Sequence, residues 1–494
     1  MSSEPREFLE RPEAFGKPTA EREPPLLDRH LHPVGMLLDA LGTIRQWIGI
    51  AAFPSLAALF GGGLRPGTLV LIGFFAVLLV VGAAVWGVLS WRATTYSVAG
   101  DTFTLRRGVV QKSERSLRLE RIQSVDTVQG VIQRLFGVVE LRIETAGGGS
   151  EPDVRLPALS RETAEALRER LTRVHRETGG GEEPEREVLR TLGVRELLVA
   201  GATSGQVGVA ASLLAGATQF VQQVLPETLA ARLFEAILPR DAGTAVLYVA
   251  ALLVFAWLLA IGGTFLAYYG FTLSRSGDHL HIRRGLLNRY EATIPLARIQ
   301  AIRVVEGVLR QPFGLAYLRV DSAGYGAEEG TSTTLYPLLP VKEVPGLLEA
   351  AAPEFAAPVQ EVGPVPRRAL RRYLIRAVVP VLLLAAPLSY FFYPWGMLAL
   401  LLVLPAAVLG WLRFRAAGWN YASERLTVRF RNLARTTVVV PRRRLQSRTV
   451  SQTPFQRRLH LASLEVQVAS GSTGAGFSVL DMDADDALKL LARL

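Results

Sequence analysis

The 494-residue sequence contains no cysteine, which excludes disulfide bonds and thiolate metal sites. It has only six histidines, which do not cluster, so a histidine metal site is also disfavoured. It lacks a nucleophile elbow, a paired-histidine helix motif and a glycine-rich phosphate loop that opens a helix. Its clean apolar runs carry no carboxylate, histidine or lysine near their centres, as an ion path usually requires. We therefore expect a protein that is not an enzyme and needs no cofactor or metal.

The composition lies between that of a soluble protein and that of a transporter. Hydrophobic residues make up 49% of the chain and the mean hydropathy is +0.26, which indicates a protein partly in a bilayer and partly in water. The net charge of +11 would suit nucleic acid or an anionic membrane. In a membrane protein, arginines gather on cytoplasmic flanks to set orientation. We therefore expect membrane lipids as partners, and no nucleic acid.

One stretch of sequence occurs three times. Arg121-Ile122-Gln123 returns as Arg298-Ile299-Gln300 and again as Arg444-Leu445-Gln446. Copies one and two match without a gap over the whole stretch from Asp101 to Gly147, and copy three is more divergent. A unit this long is a domain with its own core and not a solenoid repeat.

Each copy reads as several short alternating strands followed by one amphipathic helix, and each follows a pair of apolar runs. The predicted fold class is therefore a mixed membrane protein with six transmembrane helices in three hairpins and three β-rich domains. The predicted segments are a disordered tail 1–41, hairpin 42–91, domain 94–175, linker 176–196, hairpin 197–268, domain 269–356, basic linker 357–372, hairpin 373–414 and domain 415–494. The apolar runs 42–60 and 197–221 are weak, because the first contains Arg45 and Pro54 and the second contains polar residues.

Paired spans return the chain to its starting side, so all three domains and both termini should share one face of the membrane. The flanks on that side are rich in arginine and the opposite loops are not. By the positive-inside rule, we expect the domains in the cytoplasm, next to the cell membrane.

The repeated tripeptide is the leading candidate for an interaction site. On a strand, alternation would place the arginine and the glutamine on one face, where they could hold a phosphate or a partner's backbone. The alternatives are a contact between domains and a structural role in which these side chains satisfy buried carbonyls. The residues are Arg121, Gln123, Arg298, Gln300, Arg444 and Gln446, with Arg442 and Arg443 adding charge that could attract anionic lipid or protect a strand edge.

A second candidate is an apolar loop that follows the tripeptide in every copy. It mixes arginine with bulky apolar residues, namely Leu135, Phe136, Phe313 and Phe455. We name these loops the fingers. A finger could touch the bilayer or a neighbouring domain, or it could be a covered loop of the core.

The repeated stretch resembles the bacterial membrane proteins with pleckstrin-homology-like (PH-like) domains of type 2, in which each domain follows a transmembrane hairpin. The resemblance rests on the tripeptides, on Arg106-Arg107-Gly108, on Gln133 to Gly137 and on Thr145-Ala146-Gly147. It implies domains of two packed antiparallel sheets closed by a C-terminal helix. Copy three departs from the pattern at Arg431 and His460.

The resemblance also implies a role as a scaffold in the membrane, with envelope stress or antimicrobial-peptide resistance as its setting. The expected partners are the protein's own domains, other copies of the chain or a companion membrane protein. A binder of anionic lipid and a substrate translocator remain the alternatives.

Overall fold

The computed structural model describes residues 26–46, 66–145, 154–177, 186–205, 212, 241–322, 334–357, 361–469 and 475–494. Each repeat contributes seven antiparallel strands in the same order. The strands of copy one are β1 Leu26–His30, β2 Thr95–Ala99, β3 Thr102–Arg107, β4 Ser113–Arg118, β5 Ile122–Gln129, β6 Val138–Thr145 and β7 Val154–Ser160. Those of copy two are β8 Glu187–Thr191, β9 Thr272–Ser276, β10 His279–Arg284, β11 Arg289–Pro295, β12 Ile299–Glu306, β13 Leu315–Ser322 and β14 Thr334–Pro340. Those of copy three are β15 Gly363–Pro364, β16 Gly418–Ala422, β17 Arg425–Arg431, β18 Arg435–Pro441, β19 Leu445–Ser451, β20 Leu461–Val468 and β21 Ala475–Asp483.

Helices separate and close the strand groups. They are α1 Pro66–Ala93, α2 Val131–Leu135, α3 Arg161–Glu177, α4 Val194–Ala202, α5 Ala242–Tyr268, α6 Val344–Ala351, α7 Leu370–Phe391, α8 Val403–Ala416, α9 Pro454–Arg457 and α10 Ala484–Arg493. Residues 34–46 are also helical. Each copy ends in a helix, and the amphipathic pattern of α3 and α10 puts Leu167, Leu171 and Leu490 in the core.

The first strand of each copy corrects the sequence prediction. β1, β8 and β15 lie before the membrane helices, in segments predicted to be a disordered tail (1–41) and linkers (176–196 and 357–372). They pair with β2, β9 and β16, which follow those helices. Each strand is short and has little alternation, so its partner is apparent only once the intervening helices have folded back. Each domain is therefore closed by a strand from each side of its membrane segment.

Four helical segments within the described residues are long and apolar enough to cross a membrane. They are Gly73–Ala93, Val246–Tyr268, Arg367–Phe391 and Trp395–Ala416. The predicted weak spans 42–60 and 197–221 lie largely outside the described residues. The last of the four begins as a 3-10 helix, Trp395–Leu402, before it continues as α8.

In each repeat, a glycine brings two helices into close contact beside the domain. A side chain at Gly87 of α1 would collide with the backbone of Met36, one at Gly201 of α4 with Ile261 of α5, and one at Gly410 of α8 with Tyr373 of α7. In copies one and three, the first turn of one helix meets the C-terminal half of the other, whereas in copy two the end of α4 meets the C-terminal part of α5. Only a residue without a Cβ allows backbones to approach this closely.

Two sheets cross the boundaries between repeats, although each repeat keeps an apolar core almost entirely of its own. The sheets are β1-β2-β3-β4, then β7-β6-β5-β11-β10-β9-β8, then β14-β13-β12-β18-β17-β16-β15, and last β19-β20-β21. The second sheet therefore combines strands of copies one and two, and the third combines strands of copies two and three. The core of copy one consists of residues of copy one, whereas Val439 of copy three packs in the core of copy two, and Ala301 of copy two in that of copy three.

Candidate inter-domain interface

The two joints between repeats have the same register. At the first joint, β11 pairs with β5, and Tyr290 lies opposite Val128. At the second joint, β18 pairs with β12, and Thr436 lies opposite Val305. Thr436 and Val305 are the repeat equivalents of Tyr290 and Val128. The fifth strand of one copy therefore joins the fourth strand of the next copy in one fixed way.

Hydrogen bonds between polar groups of copies one and two stabilise joint one. The backbone N–H of Thr293 on β11 donates to a carboxylate oxygen of Asp126 on β5 at 3.2 Å, and Asp126 is buried. Arg168 of α3 donates to the Thr293 hydroxyl at 2.9 Å. The Nδ1 atom of His281 lies 3.1 Å from the same hydroxyl. Burial, aided by the charges of Arg186 and Arg168, lowers the pKa of His281 to about 4, so this imidazole is neutral at physiological pH.

Joint two is held by a buried ion pair. Arg435 of β18 makes a two-pronged contact with the Glu306 carboxylate of β12, with Nε donating at 2.7 Å and the second prong through Nη2. The Glu306 side chain is 3% exposed and that of Arg435 32%. The guanidinium of Arg303 lies 4.8 Å from the ring centroid of Phe477 across the same joint. Bidentate geometry adds both energy and orientation, so this pair fixes the angle of the joint.

Glu354 marks a second contact between copies two and three. It lies in the 3-10 turn Pro353–Phe355, which closes copy two, and both its oxygens are reached by Arg443 and Arg444 of copy three. Burial alone would raise the pKa of Glu354, but the hydrogen bonds and charges of the two arginines hold that pKa below its usual range. Arg425 adds hydrogen bonds to the backbone carbonyls of Glu354 and Ala356 at 2.7 and 2.5 Å. Three arginines of copy three therefore bind the end of copy two.

The repeated tripeptide is at the boundary between a turn and a strand. In each copy, the arginine ends a 3-10 turn and the next residue begins the fifth strand. The predicted strand alternation of arginine and glutamine is therefore wrong, because the turn rotates the arginine away from the strand's pleat. The turn is fixed by its first N–H, which in copies one, two and three donates to the carbonyl of Asp101, Asp278 and Glu424.

The three tripeptides differ in their surroundings. Arg121 is exposed, Arg298 is buried and Arg444 is half-buried against Glu354. The amide of Gln300 donates to the Arg298 carbonyl at 3.0 Å, Gln446 is exposed, and the side chain of Gln123 lies outside the described part of the chain. The buried copy has a structural role, whereas the third copy has an inter-domain one.

Arg442 and Arg443 serve copy three in different ways. Arg442 donates to the backbone oxygen of Leu494 at 2.8 Å and so holds the end of α10, and it also contacts Glu424. Arg443 contacts Glu354 of copy two. Neither of these two arginines is buried.

A buried carboxylate ties the third membrane segment to its domain. Asp481 of β21 is fully buried and contacts both Arg372 and Arg376 of α7, with Arg372 Nε at 2.9 Å. Gln456, which follows the third finger's Phe455, donates to the same carboxylate at 2.8 Å. Arg310 is the repeat equivalent of Gln456, and in copy two it donates to the carbonyl of Ala200 in α4 at 3.0 Å. The residue at this finger position thus acts beside a helix in both copies: Gln456 shares the carboxylate that binds α7, and Arg310 binds α4 directly.

The fingers are exposed in all three copies. Leu135 is 80% exposed, Phe313 72% and Phe455 68%, while Phe136 is 46% exposed. The prediction of a covered core loop therefore does not fit. Arg134 of the first finger donates to the carbonyl of Leu286 at 2.6 Å, and the Leu286 N–H donates to Leu266 near the end of α5. The first finger accordingly lies beside the end of a membrane helix.

The chain matches the family model described as "Bacterial PH domain" three times, over residues 49–175, 219–353 and 374–494. The chain belongs to this family. Its curated relatives include the UPF0699 transmembrane protein YdbT of Bacillus subtilis (strain 168), which is 32% identical over 484 residues, covering 94% of this chain and 97% of the relative. No solved structure matches the chain. This bacterial PH domain protein is thus a membrane protein with three copies of the family's domain.

Sequence reasoning missed the acidic residues that the arginines bind. Glu306 and Glu354 each stand among apolar or neutral neighbours, whereas Asp481 is followed by Asp483, Asp485 and Asp486. Nothing local distinguishes any of the three from a surface carboxylate. The repeat offers one signal for Glu306. Its repeat equivalent, Gln129, is also a hydrogen-bond acceptor, and the residues that lie opposite the two, Arg435 and Arg289, are repeat equivalents as well.

Proposed function

We propose that the protein is a non-enzymatic scaffold of the cell membrane, in which three joined PH-like domains form one cytosolic body. The observation that carries the proposal is the sharing of strands: two of the sheets each combine two repeats. Domains on flexible linkers would move independently, whereas a shared sheet holds its members at fixed spacing. A continuous surface of this kind suits binding of partner proteins that must be kept in register beside the membrane.

The proposal includes six spans in three hairpins, with the domains in the cytoplasm. The glycine contacts support it, since they bring two helices together beside each domain. The arginines at the start of α7, which bind Asp481, support the cytoplasmic side by the positive-inside rule.

A scaffold requires that a partner depend on the joined domains. We expect capture of the intact protein from mild detergent to enrich a membrane partner, either a companion protein or a second copy of the chain. Enrichment should fall at least tenfold for Arg444→Glu, because the new carboxylate faces Glu354 and disturbs the contact between copies two and three.

Arg493→Glu is the matched control, since it makes the same charge change at an exposed arginine of α10. It should capture what the unmodified chain captures. An unchanged partner set in Arg444→Glu, with equal membrane insertion, would argue against a scaffold built on this contact.

Contact with anionic lipid is a second candidate function, and the exposed fingers favour it. Bulky apolar side chains next to arginines, at the level of a helix end, are typical of segments that enter the headgroup region. A peptide that only connects strands has no physical reason to expose a phenylalanine in all three copies.

Because the chain has no cysteine, one fluorophore can report on a finger. We expect an environment-sensitive dye on Phe313→Cys to shift to the blue in nanodiscs containing phosphatidylglycerol, and to be quenched by lipid-borne quenchers. The same dye on Asp278→Cys, an exposed site at the far end of the β9–β10 hairpin, should stay in a water-like environment. Equal spectra at the two positions would remove the lipid-contact function.

A further inference from the structure

Two strand edges remain open at the ends of the row of domains. Among the described strands, β4 pairs only with β3, and β19 pairs only with β20. β4 is the fourth strand of copy one and β19 is the fifth strand of copy three. These are the same two strand types that join the repeats inside the chain, where the fourth strand of each following copy pairs with the fifth strand of the preceding one.

Equivalent strands differ in burial according to whether they are paired across a joint. β12 and β18 are mostly buried because they face each other across joint two. Their equivalents β19 and β4 have no described neighbour on the side where a joint would form, and they are mostly exposed. The row of domains therefore starts with one half of a joint and ends with the other half.

From this geometry, we infer that β19 of one molecule pairs with β4 of a second copy of the chain, in the register of the internal joints. The inference rests on the proposed scaffold and extends it to a head-to-tail assembly. The repeat offsets place Ser451 opposite Ser113, as Val305 lies opposite Thr436 and Val128 opposite Tyr290. They also place Gln452 opposite Lys112.

The ends of the three joints have matching chemistry. A basic residue on the fourth strand faces an acceptor on the fifth: Arg289 faces Gln129 in joint one, and Arg435 faces Glu306 in joint two. Lys112 and Gln452 supply the same combination at the open edges. Gln452 also repeats a local contact of Gln129, since the two amides donate to the equivalent carbonyls of Leu461 and Val138 at 2.9 and 3.0 Å.

Charges on an edge strand usually discourage pairing, and β4 and β19 carry several. The internal joints show that charge of this kind is compatible with pairing, because β11 and β18 begin with arginine and β12 ends with glutamate. A contact between two different edges is heterologous, so it extends into a row or ring and does not stop at a symmetric dimer. Membrane anchoring holds all copies at one height and raises their effective concentration.

The absence of cysteine allows a direct test by cross-linking. Opposite residues in an antiparallel pair have Cβ atoms about 4.5–5.5 Å apart, which is within reach of a disulfide after small adjustment. We expect Ser113→Cys/Ser451→Cys, oxidised in native membranes, to give a ladder of dimers, trimers and higher species on a non-reducing gel. Ser113→Cys/Val450→Cys should give at least tenfold less product, because a shift by one residue points the side chain to the opposite face.

Single variants reveal the direction of assembly. Chains with Ser113→Cys alone or Ser451→Cys alone should remain monomers, whereas co-expression of the two with different tags should yield a mixed dimer and nothing larger. A dimer of Ser113→Cys with itself would indicate a symmetric contact and overturn the inference. So would a link from Ser113→Cys/Ser451→Cys to a different protein without the ladder.

Thr436→Cys/Val305→Cys at joint two is the internal reference, and its link forms within one chain. If this pair links and the Ser113/Ser451 pair does not, the head-to-tail assembly is wrong and the joined body remains. If neither pair links in protein that is inserted in the membrane, the repeats are not joined through shared sheets, and the proposed scaffold is wrong as well.

Discussion

Asp481→Asn should lower the free energy of unfolding of copy three by about 3 kcal/mol, because removing one partner of a buried ion pair leaves the other charge uncompensated. The substitution removes the negative charge that both Arg372 and Arg376 contact, and the Asp481 carboxylate is fully buried. Asn is the suitable replacement, since Asp481 has a φ of 55° and asparagine tolerates this left-handed conformation. The thermal midpoint in detergent measures the effect.

The same variant should loosen α7 from its domain. We expect faster tryptic cleavage in the arginine-rich segment 367–376, since its side chains would lose their anchor on β21. Asp485→Asn provides the control: Asp485 is exposed in the first turn of α10, so its loss should cost less than about 1 kcal/mol. Equal midpoints for the two variants would mean that the Asp481 contacts contribute no more than a surface charge.

The repeat itself could be predicted from the sequence, as could the strand-then-helix order. Turn residues and alternating apolar positions are local signals, so the β2–β3 hairpin around Gly100 was readable. The family assignment followed from the ordered motifs, and the family match confirms it.

The shared sheets could not be predicted in this way. β5 and β11 each have the alternation of a strand, and nothing in either sequence identifies its neighbour in space. A resemblance to a domain family does not reveal them either, because it describes the fold of one domain and not the pairing between neighbouring domains. The strands β1, β8 and β15 were missed for a related reason, since their partners come after the membrane helices.

The candidate site was predictable as a set of arginines but not in its roles. Arg121, Arg298 and Arg444 occupy one position of the repeat, yet only Arg444 reaches a carboxylate of the neighbouring copy. Arg444 differs from the other two because it meets Glu354, which lies in the 3-10 turn that closes copy two. Sequence repeats reveal where a backbone is the same, whereas a function at a joint depends on what the next copy places there.

The joints give each domain a different environment from the same fold. Copy one has an open fourth strand, copy two is joined on both sides, and copy three has an open fifth strand. The middle copy also has the buried tripeptide and the most enclosed strands, as expected for a unit covered from two directions. A variant at the same repeat position should therefore have different effects in each copy.

Position 306 provides the sharpest test of that idea. Glu306→Ala should lower the free energy of unfolding by about 2–3 kcal/mol, because the Glu306 side chain is 3% exposed and its loss leaves Arg435 without its acceptor. Arg435 is partly exposed, so water recovers some of the cost, and the estimate lies at the lower end for a buried pair. Glu165→Ala, in a surface pair with Arg161, should cost less than about 1 kcal/mol.

Glu306→Gln discriminates between a required charge and a required acceptor. It recreates the pair of joint one, where Gln129 faces Arg289, so its side-chain oxygen can still accept from Arg435. We expect it to lose about 1 kcal/mol, clearly less than Glu306→Ala. The yield of the Thr436→Cys/Val305→Cys link, measured in each background, reports whether the joint itself has opened. If glutamine were as damaging as alanine, joint two would need the full charge, and the two joints would share a register without sharing a mechanism.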